Sequence, residues 1–263
     1  MVSTNSTNRT LLDRLNPVTR IAIAIVLSTP LIITLDWLSA GVALVLVIVA
    51  ALICGFRPAY IAKRLLILLL IALIAGVSMA LYGQPGGQVW FEWLLIKVTE
   101  NSLWLALAVV LRILALGLSA MLLFGDVDPT DLADGLAQVV RLPARFVLGA
   151  LAGIRMLGLF TDDWRSLGLA RRARGLGDTG RVRRWLSMAF ALLVLAIRRG
   201  SRLATAMEAK GFGSTDPEAP VRTWARPSRL RPVDLLGVLA ATVLVAIAVG
   251  FSLRFGTFHW VGS

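Results

Sequence analysis

Charge is spread so unevenly along this chain that its distribution alone dictates most of what the chain can become. Five apolar stretches run Ile21–Leu35, Leu38–Cys54, Leu65–Tyr82, Leu103–Phe124 and Val233–Phe251, with Arg112 as their one interior charge and Asp234 at an edge. A helix crossing a bilayer needs about 20 largely apolar residues, with about 17 as a practical minimum. The first stretch is marginal by itself, and Pro17–Arg20 extends it through the interface. With 57% of residues apolar and only 16% charged, a single soluble domain is excluded, since such domains carry about 25% charged residues. Disorder is excluded by the same balance.

The basic residues collect elsewhere. Asp126–Pro232 holds 18 Arg and Lys against 10 Asp and Glu, a net +8 of the chain's formal +12. Short loops rich in Lys and Arg stay on the cytoplasmic side of a membrane. Arg9, Arg14 and Arg20 precede the first stretch, and Arg57, Lys63 and Arg64 fill the second loop. The first loop offers only Asp36 and Trp37, and Gly83–Ser102 has Lys97 against Glu92 and Glu100. The N-terminus and Asp126–Pro232 are therefore expected inside a cell membrane, with the tail after Arg254 outside.

Two weaker runs bear on the span count. Phe146–Phe160 contains Arg155, and Leu186–Ile197 is flanked by Arg183, Arg184, Arg198 and Arg199. If both crossed, seven arginines from Arg165 to Arg184 would lie outside, against the inside rule. Both read instead as apolar halves of long helices along or beneath the inner membrane face. The expectation is an all-α membrane protein of about five transmembrane helices, six or seven if these runs are counted. It divides into 1–125 with four spans, 126–232 with cytoplasmic or interfacial helices, and 233–263 with the last span and an outer tail. The basic N-terminus resembles a signal sequence, but it leads straight into further spans, so an uncleaved first helix is expected.

The catalytic inventory is thin. No G-x-x-x-x-G-K-[ST] occurs, which leaves no phosphate-binding loop for ATP. Ion-driven carriers place acids or histidines at mid-membrane, and the spans hold none. No G-x-S-x-G, H-E-x-x-H or Cys/His cluster is present. Cys54 reads as a packing residue and His259 as an exposed tail residue. The residues thus argue against an enzyme and imply no cofactor or metal. Arg112, costly inside a span, is expected to face the bundle or another subunit, or else to snorkel or pair with a carbonyl.

Within 126–232 the residues lay out three helices. Asp128, Pro129 and Asp131 mark a helix start over about Pro129–Val140, and the acidic run lacks the glycine and closing Glu of a calcium loop. A second helix runs from Pro143 to about Arg174 and stops at Gly175-Leu176-Gly177. A third runs from Arg181 to about Lys210 and stops at Gly211-Phe212-Gly213. The two endings, Ala173-Arg174-Gly175 and Ala209-Lys210-Gly211, are 36 residues apart and of one type. A small residue permits close approach, the cation suits a carboxylate partner and the helix dipole, and glycine turns the chain away. Each ending can equally be a capped, solvated helix end. Two alike suggest two equivalent grooves on a dimeric partner. Arg199 and Arg202 lie upstream on the third helix, placed to support its tip or to face lipid headgroups.

These features resemble the transmembrane T component of energy-coupling factor (ECF) transporters, importers of vitamins and metal ions driven by ABC-type ATPases. Leu15-Asn16-Pro17-Val18-Thr19-Arg20 resembles the family's motif before the first span. Ala170-Arg171-Arg172-Ala173-Arg174-Gly175 resembles its first coupling motif, and Ala206-Met207-Glu208-Ala209-Lys210-Gly211-Phe212 its second. The resemblance implies two crossed coupling helices whose tips each dock on one of two ATPase subunits. It implies docking roles for Arg174 and Lys210, close contact at Ala173 and Ala209, and a small substrate-binding membrane subunit as a further partner. Nucleic acid is not an expected partner. Lys210 stands where arginine is usual, keeping the charge without the planar fork. A self-contained permease or channel is the alternative that the residues leave open.

Overall fold

A computed structural model describes residues 11–34, 36–83, 86, 89–93, 96–175, 180–212, 224 and 226–255. Among these residues, eight α-helices carry the architecture, preceded by a short 3-10 turn at Leu11–Arg14. They are α1 (Pro17–Ile33), α2 (Trp37–Ile53), α3 (Pro58–Tyr82), α4 (Glu100–Phe124), α5 (Pro129–Gln138), α6 (Ala144–Ala173), α7 (Arg181–Ala209) and α8 (Pro232–Arg254). The fold is that of an all-α membrane protein.

One departure from the expected helices and loops lies between α3 and α4. Strands β1 (Val89–Trp93) and β2 (Ile96–Thr99) pair antiparallel, with Glu92 opposite Lys97. Val-Trp-Phe-Glu-Trp and Ile-Lys-Val-Thr are β-branched and aromatic runs, which favour a pleated ribbon over a coil.

The chain divides into two compact units, Met1–Asp128 with Arg229–Ser263, and Pro129–Ser228. In the first, α4 is the central helix. It packs on α3, α2 and α1, and α8 packs on α1 and α2. Leu68, Ala72, Leu114, Leu118 and Leu122 join Val47, Ala51 and Ile61 in one buried cluster. Small residues bring α3 and α4 close: a Cβ on Gly76 would lie 2.5 Å from the Val110 side chain. Outward residues such as Leu66, Leu70, Ile74, Leu235 and Leu239 are large, apolar and exposed, as lipid-facing helices require.

Among the described residues, four helices are long and apolar enough to cross a membrane: α3, α4, α6 and α8, with α6 the least apolar. Helices α1 and α2, also apolar, are shorter at 17 residues each, the lower limit for a span. Helix α6 is continuous from Ala144 to Ala173, close to the expected Pro143–Arg174, and by length and composition it qualifies as a span where the sequence places it along the inner membrane face.

The motif before α1 ties one end of this bundle together. Asn16 caps α1 by accepting from the Val18 N–H at 3.0 Å, with Pro17 as first helical residue. The Arg20 guanidinium is buried and donates to the Leu12 carbonyl and to the Leu123 carbonyl at the end of α4. The Leu11 N–H donates to the Cys54 carbonyl at the end of α2. Buried Asp234, in the first turn of α8, accepts from the N–H of both Asn16 and Arg231. The start of α1, the ends of α2 and α4, and the start of α8 therefore share one face.

In the second unit α5 packs on α6 through Ala133, Ala137 and Val147, with Trp224 laid against them. The Gln138 amide holds the chain returning from α7, donating to the Arg226 carbonyl and accepting from the Ser228 N–H, both at 2.8 Å. Helix α5 ends at Gln138, close to the expected Val140, with the Val139 N–H still donating to the Gly135 carbonyl, and the left-handed backbone of Arg141, φ 60°, bars any further continuation.

Candidate functional site: two helix tips and the crossing between them

Both tips form at the expected residues. Ala173 is the last residue of α6 and Arg174 its C-cap; Ala209 is the last of α7 and Lys210 its C-cap. Gly175 and Gly211 follow at φ 71° and 74°, the left-handed region where only glycine sits without strain. At the second tip the Gly211 N–H donates to Glu208 and the Phe212 N–H to Met207. These are the paired bonds of a Schellman stop. At the first, the Gly175 N–H donates to Arg172 in the equivalent way. Leu176, Gly177 and Gly213, expected to complete the stops, lie outside the described residues, as does His259. Ala173, Arg174, Gly175, Ala209, Lys210 and Gly211 are all exposed. With the cap satisfied by backbone bonds, the two cationic side chains are left to project.

The tips are separate sites. Trp164 of α6 meets Trp185 of α7 edge-on at 6.3 Å, and Met188 lies 3.8 Å from where a Gly168 Cβ would be. The C-terminal half of α6 thus runs against the N-terminal part of α7. That places the first tip beside the start of α7 and the second at the far end of its 29 residues. Between the helices lies a cavity of about 450 Å³ lined by Trp164, Trp185 and arginines 165, 171, 172 and 184.

Arg199 has a partner within the second unit. It forms a two-pronged ion pair with Asp163 of α6, Nη1 to Oδ2 and Nη2 to Oδ1, the latter at 3.1 Å. That bond raises the pKa of Arg199 above the ordinary arginine value. Asp163, Gln138 and Trp224 escaped the sequence reading. Only Asp163 carried a signal, since it precedes Arg199 by the same 36 residues that separate the tips.

Arg112 lies on α4, half-buried, with its Nε and Nη2 atoms buried and without hydrogen-bond partners among the described residues. Asp36 is an opposing charge that attracts it through space while capping α2 through the Ser39 N–H. Among the described residues no three His, Cys, Asp or Glu gather as a metal site.

The family model described as CbiQ, cobalt transport protein, matches residues 8–221. The chain belongs to this family. Its members are the T components of ECF transporters, and the relatives carry that name. It is 26% identical to the energy-coupling factor transporter transmembrane protein EcfT of Limosilactobacillus fermentum, over 62% of this chain and 64% of that protein. It is 25% identical to the EcfT of Brevibacillus brevis, over 76% of this chain and 80% of that protein. It is 22% identical to the EcfT of Clostridium kluyveri over 90% of this chain and 91% of that one. The chain thus spans just under two thirds of the first of these relatives and most of the other two. Family and helices together place this T component in a membrane.

Proposed function

We propose that this T component couples two ABC-type ATPase subunits to a small substrate-binding membrane subunit, for uptake of a vitamin or metal ion. The ATPases would supply ATP hydrolysis, and this chain would be non-catalytic. One tip, Ala173-Arg174-Gly175, docks on one ATPase, and the other, Ala209-Lys210-Gly211, on its twin. The observation that carries this reading is the repeated cap. Two helices of 30 and 29 residues end on the same small–cation–glycine sequence, with glycines within a few degrees of one another. Movement of the ATPases displaces the tips, and α6 and α7 pass that displacement to the substrate subunit.

The orientation follows from the shared face at one end of the bundle. That face gathers Arg14, Arg20, the Arg57–Arg64 region and both boundaries of 126–232, which makes it the cytoplasmic one by the inside rule. The chain is then multi-pass with its N-terminus inside, 1–125 and 233–263 forming the membrane part and 126–232 the coupling part. Arg112, with its Nε and Nη2 donors unsatisfied among the described residues, is a contact for another subunit.

Co-purification of the ATPases with wild type, Arg174→Glu, Lys210→Glu and the double variant tests the docking. Each single reversal lowers recovery and the double abolishes it. Full recovery in the double variant would falsify the proposal.

A further inference from the structure

The tips repeat at a spacing of 36 residues, and so does the ion pair between their helices. Asp163 precedes Arg174 by 11 residues, and Arg199 precedes Lys210 by 11. Position i of α6 thus corresponds to position i+36 of α7, and Asp163 and Arg199 are a contact between corresponding positions. By that correspondence they are the common centre of the two helices. From that centre each tip lies about 16 Å away along its helix, at 1.5 Å per residue.

The two sides of the centre are built differently. Toward the first tip the helices hold each other through Trp164, Trp185, Gly168 and Met188. The positions corresponding to Trp164 and Trp185 on the other side are Gly200 and Gly149, and a Cβ on either would meet nothing within 4 Å. From Gly200 to Lys210 every residue except Met207 is exposed. One arm of the crossing is packed, and the arm carrying the second tip extends unsupported. The ion pair sits where the two meet.

We infer that Asp163 and Arg199 form the pivot of the coupling helices, fixing the centre about which the free arm of α7 and its Lys210 tip are positioned. A guanidinium gripping a carboxylate with both prongs fixes orientation as well as distance. Apolar contact would let the helices slide. Both residues are positioning residues, acting on the ATPases through the tips. The inference deepens the docking proposal and rests on it for its role in transport, but its geometric content holds for the chain alone.

The test is a distance between the arms. In the full chain, reconstituted in nanodiscs with Cys54→Ser, spin labels at Arg172→Cys and Glu208→Cys each stand two residues before a tip cation. The native pair gives one narrow distance distribution. Asp163→Asn and Arg199→Gln each lose it, and Asp163→Arg combined with Arg199→Asp restores it. An unchanged distribution in the single variants, or a swap as broad as they are, overturns the pivot. In the assembled complex, Asp163→Asn retains both ATPases but imports less substrate per ATP, and the swap recovers the ratio. Loss of ATPases with the narrow distance intact also overturns the pivot. The docking proposal fails separately, on full ATPase recovery by the double tip variant.

Discussion

The Asn16 N–H donates to the Asp234 carboxylate at 2.7 Å, joining the cap of α1 to the first turn of α8 across 218 residues. The second oxygen of Asp234 accepts the Arg231 N–H at 2.6 Å, so one buried carboxylate satisfies two backbone donors on different segments. This link closes the bundle on the face where the chain leaves for α5 and returns from α7.

Replacing Asp234 by Ala removes the carboxylate that accepts from both backbone donors. A hydrogen bond to a charged group contributes about 1.5–3 kcal/mol, and a stranded buried donor costs a comparable amount. Asp234→Ala is expected to lower the midpoint of thermal unfolding in detergent clearly. Asp234→Asn, which keeps one acceptor oxygen, falls between. Equal midpoints for all three proteins would show that the link does not hold the bundle.

Gly76 is a second point where the membrane unit has no slack. A methyl there meets Val110, whose branched side chain is confined to few rotamers and cannot swing aside. Gly76→Ala therefore separates α3 from α4 or strains Val110, an overpacking cost of about 1–3 kcal/mol. Val110→Ala in the same chain removes the obstructing methyls and recovers much of the loss. Thermal unfolding of the two single variants and the double checks this, and additive losses would refute the close approach.

The elements that the sequence made legible are those governed by local rules. Apolar runs located the membrane helices, and Gly175 and Gly211 marked helix ends because a left-handed residue suits glycine almost alone. The tips were visible for that reason. What stayed hidden depends on contacts between distant segments. Arg199 on an apolar-flanked helix has the pattern of a headgroup contact, and only the crossing of α6 and α7 brings Asp163 within reach. Gln138 has no pattern at all, since its partners lie about 90 residues downstream. The β1–β2 ribbon was hidden because a short loop rich in β-branched residues has no membrane signature.

Gln138 is the only described side chain that grips the returning segment by both donor and acceptor. Gln138→Ala removes the side chain's two bonds to the backbone at Arg226 and Ser228, and the nearby Arg226–Asp131 ion pair at 3.5 Å is exposed. A pair this exposed contributes about 0–1 kcal/mol and does not substitute. Brief trypsin treatment of the full chain is expected to cut after Arg229, which precedes Leu230, faster in Gln138→Ala than in wild type. Gln138→Glu, which keeps the acceptor for Ser228 but loses the donor to Arg226, gives an intermediate rate. Identical cleavage in all three would sink the clamp.

The glycine after each tip makes a sharper demand than the cation before it. At φ 74° Gly211 lets its own N–H and that of Phe212 turn back onto Glu208 and Met207. A side chain in that conformation costs about 1–2 kcal/mol, and asparagine tolerates it better than alanine because its amide bonds locally. Gly211→Ala therefore unravels the last turn or redirects the chain, and either outcome moves Lys210 away from its docked direction with its charge intact. ATPase recovery is expected to fall in the order wild type, Gly211→Asn, Gly211→Ala. The same order is expected for Gly175, whose φ is 71°. Charge alone predicts no difference among these variants, because none of them touches Arg174 or Lys210. A flat series would mean that the tips act as diffuse positive patches, and a graded one that the left-handed turn aims the cation.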